Sequence, residues 1–205
     1  MSEAKKEKVQ MDPKYIIKLA VTLLVICLVV SVMLGFVNSI TADKIAALQE
    51  QATQQSLQAV FPDAEFDKLD VTDAQAAEAA AYQSELMAIY QTKDGSGYAI
   101  EVGPSGFSGT IDMIVGINAD GSIAGISVVS NTETAGIGTK VCADKPNKAG
   151  VGVLSQFIGM TATKDNPFTV NTGSNEVDAI SGATVTTKAI TRGVNAASLV
   201  YATLG

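Results

Sequence analysis

The 205-residue chain has no histidine, no tryptophan and only two cysteines, Cys27 and Cys142. Without histidine there is no imidazole acid–base catalysis, no Ser–His or Cys–His dyad and no histidine metal site. The cysteines lie far apart and form no Cys-x-x-Cys, which argues against an iron–sulfur or zinc site ligated by this chain's own thiolates. Any redox work then falls to an organic cofactor. Basic residues are scarce beyond residue 38, where nine Lys/Arg face eighteen Asp/Glu, a net of −9. Such a surface suits neither nucleic acid nor anionic lipid, and the lone Arg192 makes no basic patch. The glycines occur neither as Gly-x-x-x-x-Gly-Lys-Ser/Thr nor in a Gly-x-Gly-x-x-Gly context, so no triphosphate or dinucleotide site is read here.

The N-terminus has what the rest lacks. Residues 1–18 carry Lys5, Lys6, Lys8, Lys14 and Lys18, and residues 19–37 are an uncharged apolar run. About twenty such residues span a bilayer as a helix. A cleaved signal peptide has a shorter apolar core, about 7–15 residues, and a small-x-small cleavage site, which is not evident here. The expectation is a membrane anchor. Because the nearby basic residues precede the span, the positive-inside rule places the N-terminus in the cytoplasm and everything after Val37 outside.

Beyond the span, residues 38–84 read as a helical connector. A helix is expected over 41–60, with Thr41 as its N-cap and Pro62 as its stop. Residues 65–84 read as a loop with one short helix at 73–81. From about residue 85 the apolar pattern becomes period two. Strands are expected over 86–90, 98–102, 110–117 and 123–129, with turns at Lys93–Gly97 and Asn118–Gly121 and a glycine-rich bend over 103–109. This is an antiparallel meander. A short helix near 153–157, a last strand at 168–170 and a C-terminal helix at 184–203 follow, the helix burying Ile190, Val194, Ala197, Leu199 and Val200. The fold class is α+β: one N-terminal transmembrane helix, then an antiparallel-sheet domain over 85–205 ending in a helix.

The stretch Asp178-Ala179-Ile180-Ser181-Gly182-Ala183-Thr184 opens that last helix. Two readings fit its spacing. Ser181 and Thr184 are ordinary caps that bond backbone N–H groups. Alternatively, the free N–H groups and positive dipole end of the helix hold a phosphate, with Thr184 or a neighbour carrying it covalently. Lys188, one turn on from Thr184, lies within reach of such a phosphate or is simply solvated.

Asp-x-x-Ser-Gly-Ala-Thr resembles the flavinylation motif of the FMN-binding domain family. That family includes the G subunits of Rnf ion-translocating ferredoxin:NAD+ oxidoreductases and the C subunits of Na+-translocating NADH:quinone reductases. Ser130–Gly138 is similar to the family's Glu-Thr-Pro-Gly-Leu-Gly loop, with Ala135 in place of Pro and Ile137 in place of Leu. Gly106-x-Ser108-Gly109 and the strand after it are also family-like, and with the anchor the resemblance covers nearly the whole chain. It implies FMN joined through its phosphate to Thr184 by a separate FAD:protein FMN transferase. It also implies that Ser181, Gly182, Ala183 and Val185 surround the phosphate, that Asp178 orients the loop or meets the transferase, and that Glu133, Thr134, Gly136 and Gly138 flank the isoalloxazine ring. The implied role is one-electron relay between partner membrane subunits of an Rnf-like complex, whose other membrane and peripheral subunits are the implied partners. No complete active site is implied in this chain. The shortness of the chain favours the Rnf branch of the family over the quinone-reductase branch. A non-redox scaffold and a stand-alone extracellular flavoprotein are the contrasting expectations, and Cys142 is expected to be a free thiol.

Overall fold

The computed structural model describes residues 13–204, so Lys5, Lys6 and Lys8 lie outside the described residues. The chain divides into two compact units, the first ending at Leu48 and the second beginning at Gln49.

The first unit is helical. Helix α1 runs unbroken from Pro13 to Val60. It is long and apolar enough to cross a membrane. Its apolar side chains, such as Leu24 and Phe36, are exposed. The hydroxyls of Thr22, Ser39 and Thr41 donate to the carbonyls of Lys18, Phe36 and Val37, so none is left wanting a partner in an apolar surrounding. Thr41 is therefore not the cap of a separate helix. No glycine or proline separates the apolar run from the following segment, and the Thr41 hydroxyl is satisfied within its own helix.

The second unit begins with the last turns of α1. That helix stops before Pro62, where Gln58 wraps the exit: its Oε1 accepts from the Asp63 N–H and its Nε2 donates to the Ala64 carbonyl. Five antiparallel strands follow in sheet order β1-β2-β3-β4-β5: Phe66–Leu69, Ser84–Thr92, Gly97–Pro104, Ile111–Asn118 and Ile123–Asn131. The meander is as expected, but β1 falls in the segment read as loop. Four residues carry too little alternation to be seen; β1 is held by its register on β2, with Phe66 opposite Thr92 and Leu69 opposite Ile89. Helix α2 occupies Asp73–Ala81, opened by a Thr72–Gln75 capping box.

One face of the sheet builds the main core. Ile100, Val102, Met113, Val115 and Ile117 meet Ile190, Val194 and Ala197 of the C-terminal helix α4, Thr184–Tyr201. Burial extends around α4 beyond the expected stripe, taking in Thr187, Thr191, Asn195 and Ser198, because α2, a short helix α3 (Gly138–Cys142) and strand β6 (Thr169–Val170) pack on its other sides. Thr187, Thr191 and Ser198 satisfy their hydroxyls on helix carbonyls, and the Asn195 amide pairs with both the N–H and the C=O of Phe168.

The other face is smaller: Leu57, Val60 and Phe61 cover Ala99 and Ile114. Beside them Glu101 and Asp112 project from the same face as diagonal neighbours, since Glu101 sits opposite Ile114. Tyr90 donates to Glu101, while one carboxylate oxygen of Asp112 is buried without a partner. Burial, then the Glu101 charge, pushes Asp112 up to about 6; burial also raises Glu101. The folded chain thus holds the Asp112 proton more tightly than the unfolded chain does. The associated stability is complete below about pH 4 and is lost as pH rises through about 6. Asp112→Asn is expected to flatten this dependence and to add about 1 kcal/mol at pH 7.5, after discounting for partial solvent screening. Unfolding midpoints measured from pH 4 to pH 8 check it.

Candidate functional site

The motif is delivered to the start of α4 by a short parallel pair, β6 with β7 (Glu176–Val177). Two side-chain amides then fix the path. Gln156, on a 3-10 turn at Leu154–Phe157, accepts from the Asp178 N–H at 2.7 Å and donates to the Asp178 carbonyl at 3.2 Å. Asn171 accepts from the Ala179 N–H at 3.0 Å. The sequence reading missed both residues, because isolated Gln and Asn carry no local signal for a partner 8 or 22 positions away.

The chain next turns through Ile180–Ala183, closed by the Ala183 N–H on the Ile180 carbonyl. Gly182 has φ +84°, a left-handed value that only glycine adopts freely. Because the turn closes on backbone, Ala183 becomes the residue at the helix cap, and α4 has no side-chain cap bond. The expectation that Ser181 or Thr184 caps the helix is therefore corrected: neither hydroxyl does so. The first intrahelical bond is Thr187 N–H to Ala183 O. The N–H groups of Thr184, Val185 and Thr186 precede it and face outward from the positive end of the helix. Thr184 is half-buried, Ser181 is exposed, and Lys188 one turn on is exposed.

The 130–138 loop reaches the same place from the end of β5. Glu133 is buried, with 7% of its surface exposed. Its Oε1 accepts from the N–H groups of Phe107 (2.7 Å) and Ser108 (3.1 Å), and its Oε2 accepts from the Thr186 hydroxyl. One carboxylate thus ties the glycine-rich bend after β3, the end of β5 and the first turn of α4. Glycine is required beside it: a Cβ on Gly138 would lie 2.4 Å from Oε2, and one on Gly106 2.3 Å from Oε1. Gly138 therefore makes its close approach to Glu133, while Gly136 and Thr134 lie on the surface. Arg192 of α4 adds a second tie by donating to the Ser105 carbonyl at 2.6 Å. Cys142 is a free thiol pushed up to about 11, first by burial and then by the nearby Glu133 charge.

Two cavities meet the motif from opposite ends. Gly182, Ala183, Val185 and Thr186 line one of about 170 Å³, whose other walls are Phe107, Glu133, Thr134, Ile137 and Gly138. Asp178 through Ser181 line the other, of about 480 Å³, facing Lys140 and the 146–149 turn. Phe107, Ile137 and Val185 expose 69%, 49% and 50% of their surface around the smaller cavity. The site thus pairs an apolar wall with outward-facing helix N–H groups. A flat, largely apolar ring on a phosphate-ended chain matches both halves of it.

Comparison with known proteins agrees with this geometry. The model of the FMN-binding domain matches residues 106–198, and that of the RnfG N-terminal region matches residues 10–60. The chain is 36% identical over 211 aligned residues to the G subunit of the Na+-translocating ferredoxin:NAD+ oxidoreductase complex of Acetobacterium woodii, covering 97% of this chain and 98% of that protein. It is 29% identical to the G subunit of an ion-translocating oxidoreductase complex of Methanosarcina acetivorans, covering 91% and 94%. To the G subunit of the proton-translocating ferredoxin:NAD+ oxidoreductase complex of Clostridium ljungdahlii it is 26% identical, covering 91% of each. With likeness sustained from end to end and two family models falling on the long helix and the sheet domain, this chain belongs to the family of G subunits of ion-translocating oxidoreductase complexes.

Proposed function

We propose that the protein is the flavin-carrying electron-transfer subunit of a membrane-bound ferredoxin:NAD+ oxidoreductase of the Rnf type, with FMN joined through its phosphate to Thr184. The observation that carries this reading is the start of α4. There an uncapped helix end presents three N–H groups beside a threonine hydroxyl that makes no hydrogen bond among the described residues. An ordinary structural helix would have used that hydroxyl, or that of Ser181, as a cap.

The residues divide the work. Thr184 Oγ1 supplies the attachment point, and the N–H groups of Thr184, Val185 and Thr186 face the phosphate. Gly182 sets the turn, Ala183 leaves the approach open, and Ser181 and Asp178 mark the side from which the motif is reached. Phe107, Ile137 and Val185 form the apolar wall, with Glu133, Thr134, Gly136 and Gly138 behind and beside it. FMN, when bound, supplies reversible redox chemistry that no side chain of this protein provides. Attachment by an FAD:protein FMN transferase forms the Thr184 Oγ1–P bond and breaks the pyrophosphate bond of the donor, with AMP leaving and the hydroxyl proton released. The other subunits of the complex supply and accept the electrons and carry the ion, so this chain is one non-autonomous part of an enzyme.

The anchor follows from α1. Lys14 and Lys18 precede the apolar run and no basic residue follows it until Lys44, which by the positive-inside rule supports a cytoplasmic N-terminus and a sheet domain outside. A covalent bond suits that location, because a flavin that dissociated there would be lost to the cell.

Intact mass and peptide mapping of the full chain, co-expressed with the transferase, test the reading. The expected result is an added mass of about 438 Da, FMN less water, on the peptide that contains Thr184. An unmodified chain beside a demonstrably active transferase would return the protein to a scaffold role.

A further inference from the structure

The smaller cavity at the motif has one formal charge in its wall, the carboxylate of Glu133. No lysine or arginine lines it, and Glu133 takes part in no ion pair among the described residues. The three donors to this carboxylate, the N–H groups of Phe107 and Ser108 and the Thr186 hydroxyl, are all neutral. They hold the group in place and replace its lost water, but none brings a charge that cancels it. With 7% of its surface exposed, Glu133 is shielded from solvent and counter-ions, so its field is weakly screened. A second neighbour registers that field: after burial, the Glu133 charge is the next cause that pushes the Cys142 thiol up to about 11. The wall that holds the apolar side chains Phe107, Ile137 and Val185 therefore also holds one fixed, uncompensated negative charge.

We infer that the buried Glu133 carboxylate holds the flavin's midpoint potential low, by repelling the charge that the ring gains on reduction, and that the Thr186 hydroxyl moderates it. The inference rests on the flavin reading given above and deepens it, giving an electrostatic task to a residue that is otherwise a structural tie. At pH 8 the bound ring takes up two electrons and one proton, FMN + 2e− + H+ → FMNH−, and so gains one negative charge. The electrons come from the reductant, dithionite in the test below and a partner subunit in the complex. The oxidised ring is neutral and meets no penalty from Glu133. The reduced ring shares the cavity with a like charge, so the carboxylate opposes reduction and leaves binding of the oxidised flavin unaffected. The donation from Thr186 draws part of the carboxylate's charge toward the first turn of α4, which weakens the repulsion.

The test is a dithionite titration of the full flavinylated chain in detergent at pH 8, with the potential read from flavin absorbance. Glu133→Gln removes the charge and keeps most of the hydrogen bonds. It is expected to favour the reduced flavin about tenfold, a rise of about 30 mV for a two-electron couple. Thr186→Val keeps the charge and removes one of its donors, and is expected to lower the potential. Glu133→Asp keeps the charge but shortens the side chain, and is expected to stay near wild type. The opposite signs separate field from fit, since loosening of the first turn of α4 would move E133Q and T186V the same way. Shifts of the same sign in those two variants overturn the inference, as does an unmoved or lowered potential in E133Q. A rise in E133D as large as that in E133Q also overturns it. If E133Q does not fold, T186V decides: a lowered potential supports the inference and an unmoved or raised one overturns it. Failure of the underlying flavin reading looks different, since wild-type chain would then carry no added mass on Thr184 and give no flavin absorbance to titrate.

Discussion

Replacing Thr184 by valine is expected to remove the covalent flavin completely while leaving stability within about 0.5 kcal/mol of wild type. Valine keeps the β-branched shape, and the position is the first of α4, where no intrahelical N–H bond is yet required. The lost hydroxyl makes no hydrogen bond among the described residues, so nothing is orphaned by its removal. Its near neighbour supplies the contrast. Thr186→Val removes the donor to the buried Glu133 carboxylate and is expected to cost about 1–3 kcal/mol. Intact mass and unfolding midpoints, measured on both variants made with the transferase present, separate a chemical role from a structural one. Covalent flavin at full occupancy on the Thr184→Val chain would sink the attachment assignment. A large stability loss there would show that the hydroxyl is structural after all.

Glu133→Ala is expected to destabilise the sheet domain by about 3 kcal/mol, because it leaves the Phe107 and Ser108 N–H groups and the Thr186 hydroxyl without their acceptor. The empty volume beside Gly106 and Gly138 adds to that cost, since both glycines are there to admit this side chain. Glu133→Gln is expected to cost less, about 1 kcal/mol: its carbonyl oxygen still accepts from the two N–H groups, and the Thr186 hydroxyl can rotate to accept from the amide. Urea unfolding of the detergent-solubilised chain, followed through the tyrosines, checks both. Equal losses for Ala and Gln would mean that the charge, rather than the hydrogen-bond geometry, holds the three segments together. The same carboxylate backs the apolar cavity, so the alanine variant is also expected to slow flavinylation by loosening the first turn of α4.

Much of the architecture was legible in one dimension because its signals are local. The apolar run needs only its own length to be read as a helix long enough to cross a membrane. Period-two alternation and the Asn118-Ala119-Asp120-Gly121 turn needed no partner to be read as β4 and β5, and Asp73–Ala81 was marked as a helix by composition alone. The Ser-Gly-Ala-Thr segment pointed to its family by residue identity. What failed to show depended on distant residues. β1 is defined by pairing with β2, and β7 by two residues beside β6. The break expected at Thr41 does not occur, because helix propagation across Asn38–Ala42 costs nothing that a cap would recover.

Residue order alone set the class of the protein: an apolar run long enough to span a bilayer, an acidic α+β domain, no histidine for imidazole chemistry, and a threonine at a helix start. How that helix start is used emerges in the folded chain. Its cap falls on Ala183 because a backbone hydrogen bond closes the preceding turn, which leaves the Ser181 and Thr184 hydroxyls out of the cap. In the same way Glu133 turns inward to bind three segments, and Gln156 and Asn171 pin the motif from elsewhere in the chain. The Glu133, Gln156 and Asn171 outcomes rest on hydrogen bonds between residues 8 to 53 positions apart. Periodicity and local propensity reach about one turn or one hairpin along the chain, so contacts of that separation are set only when the sheet and α4 close on each other.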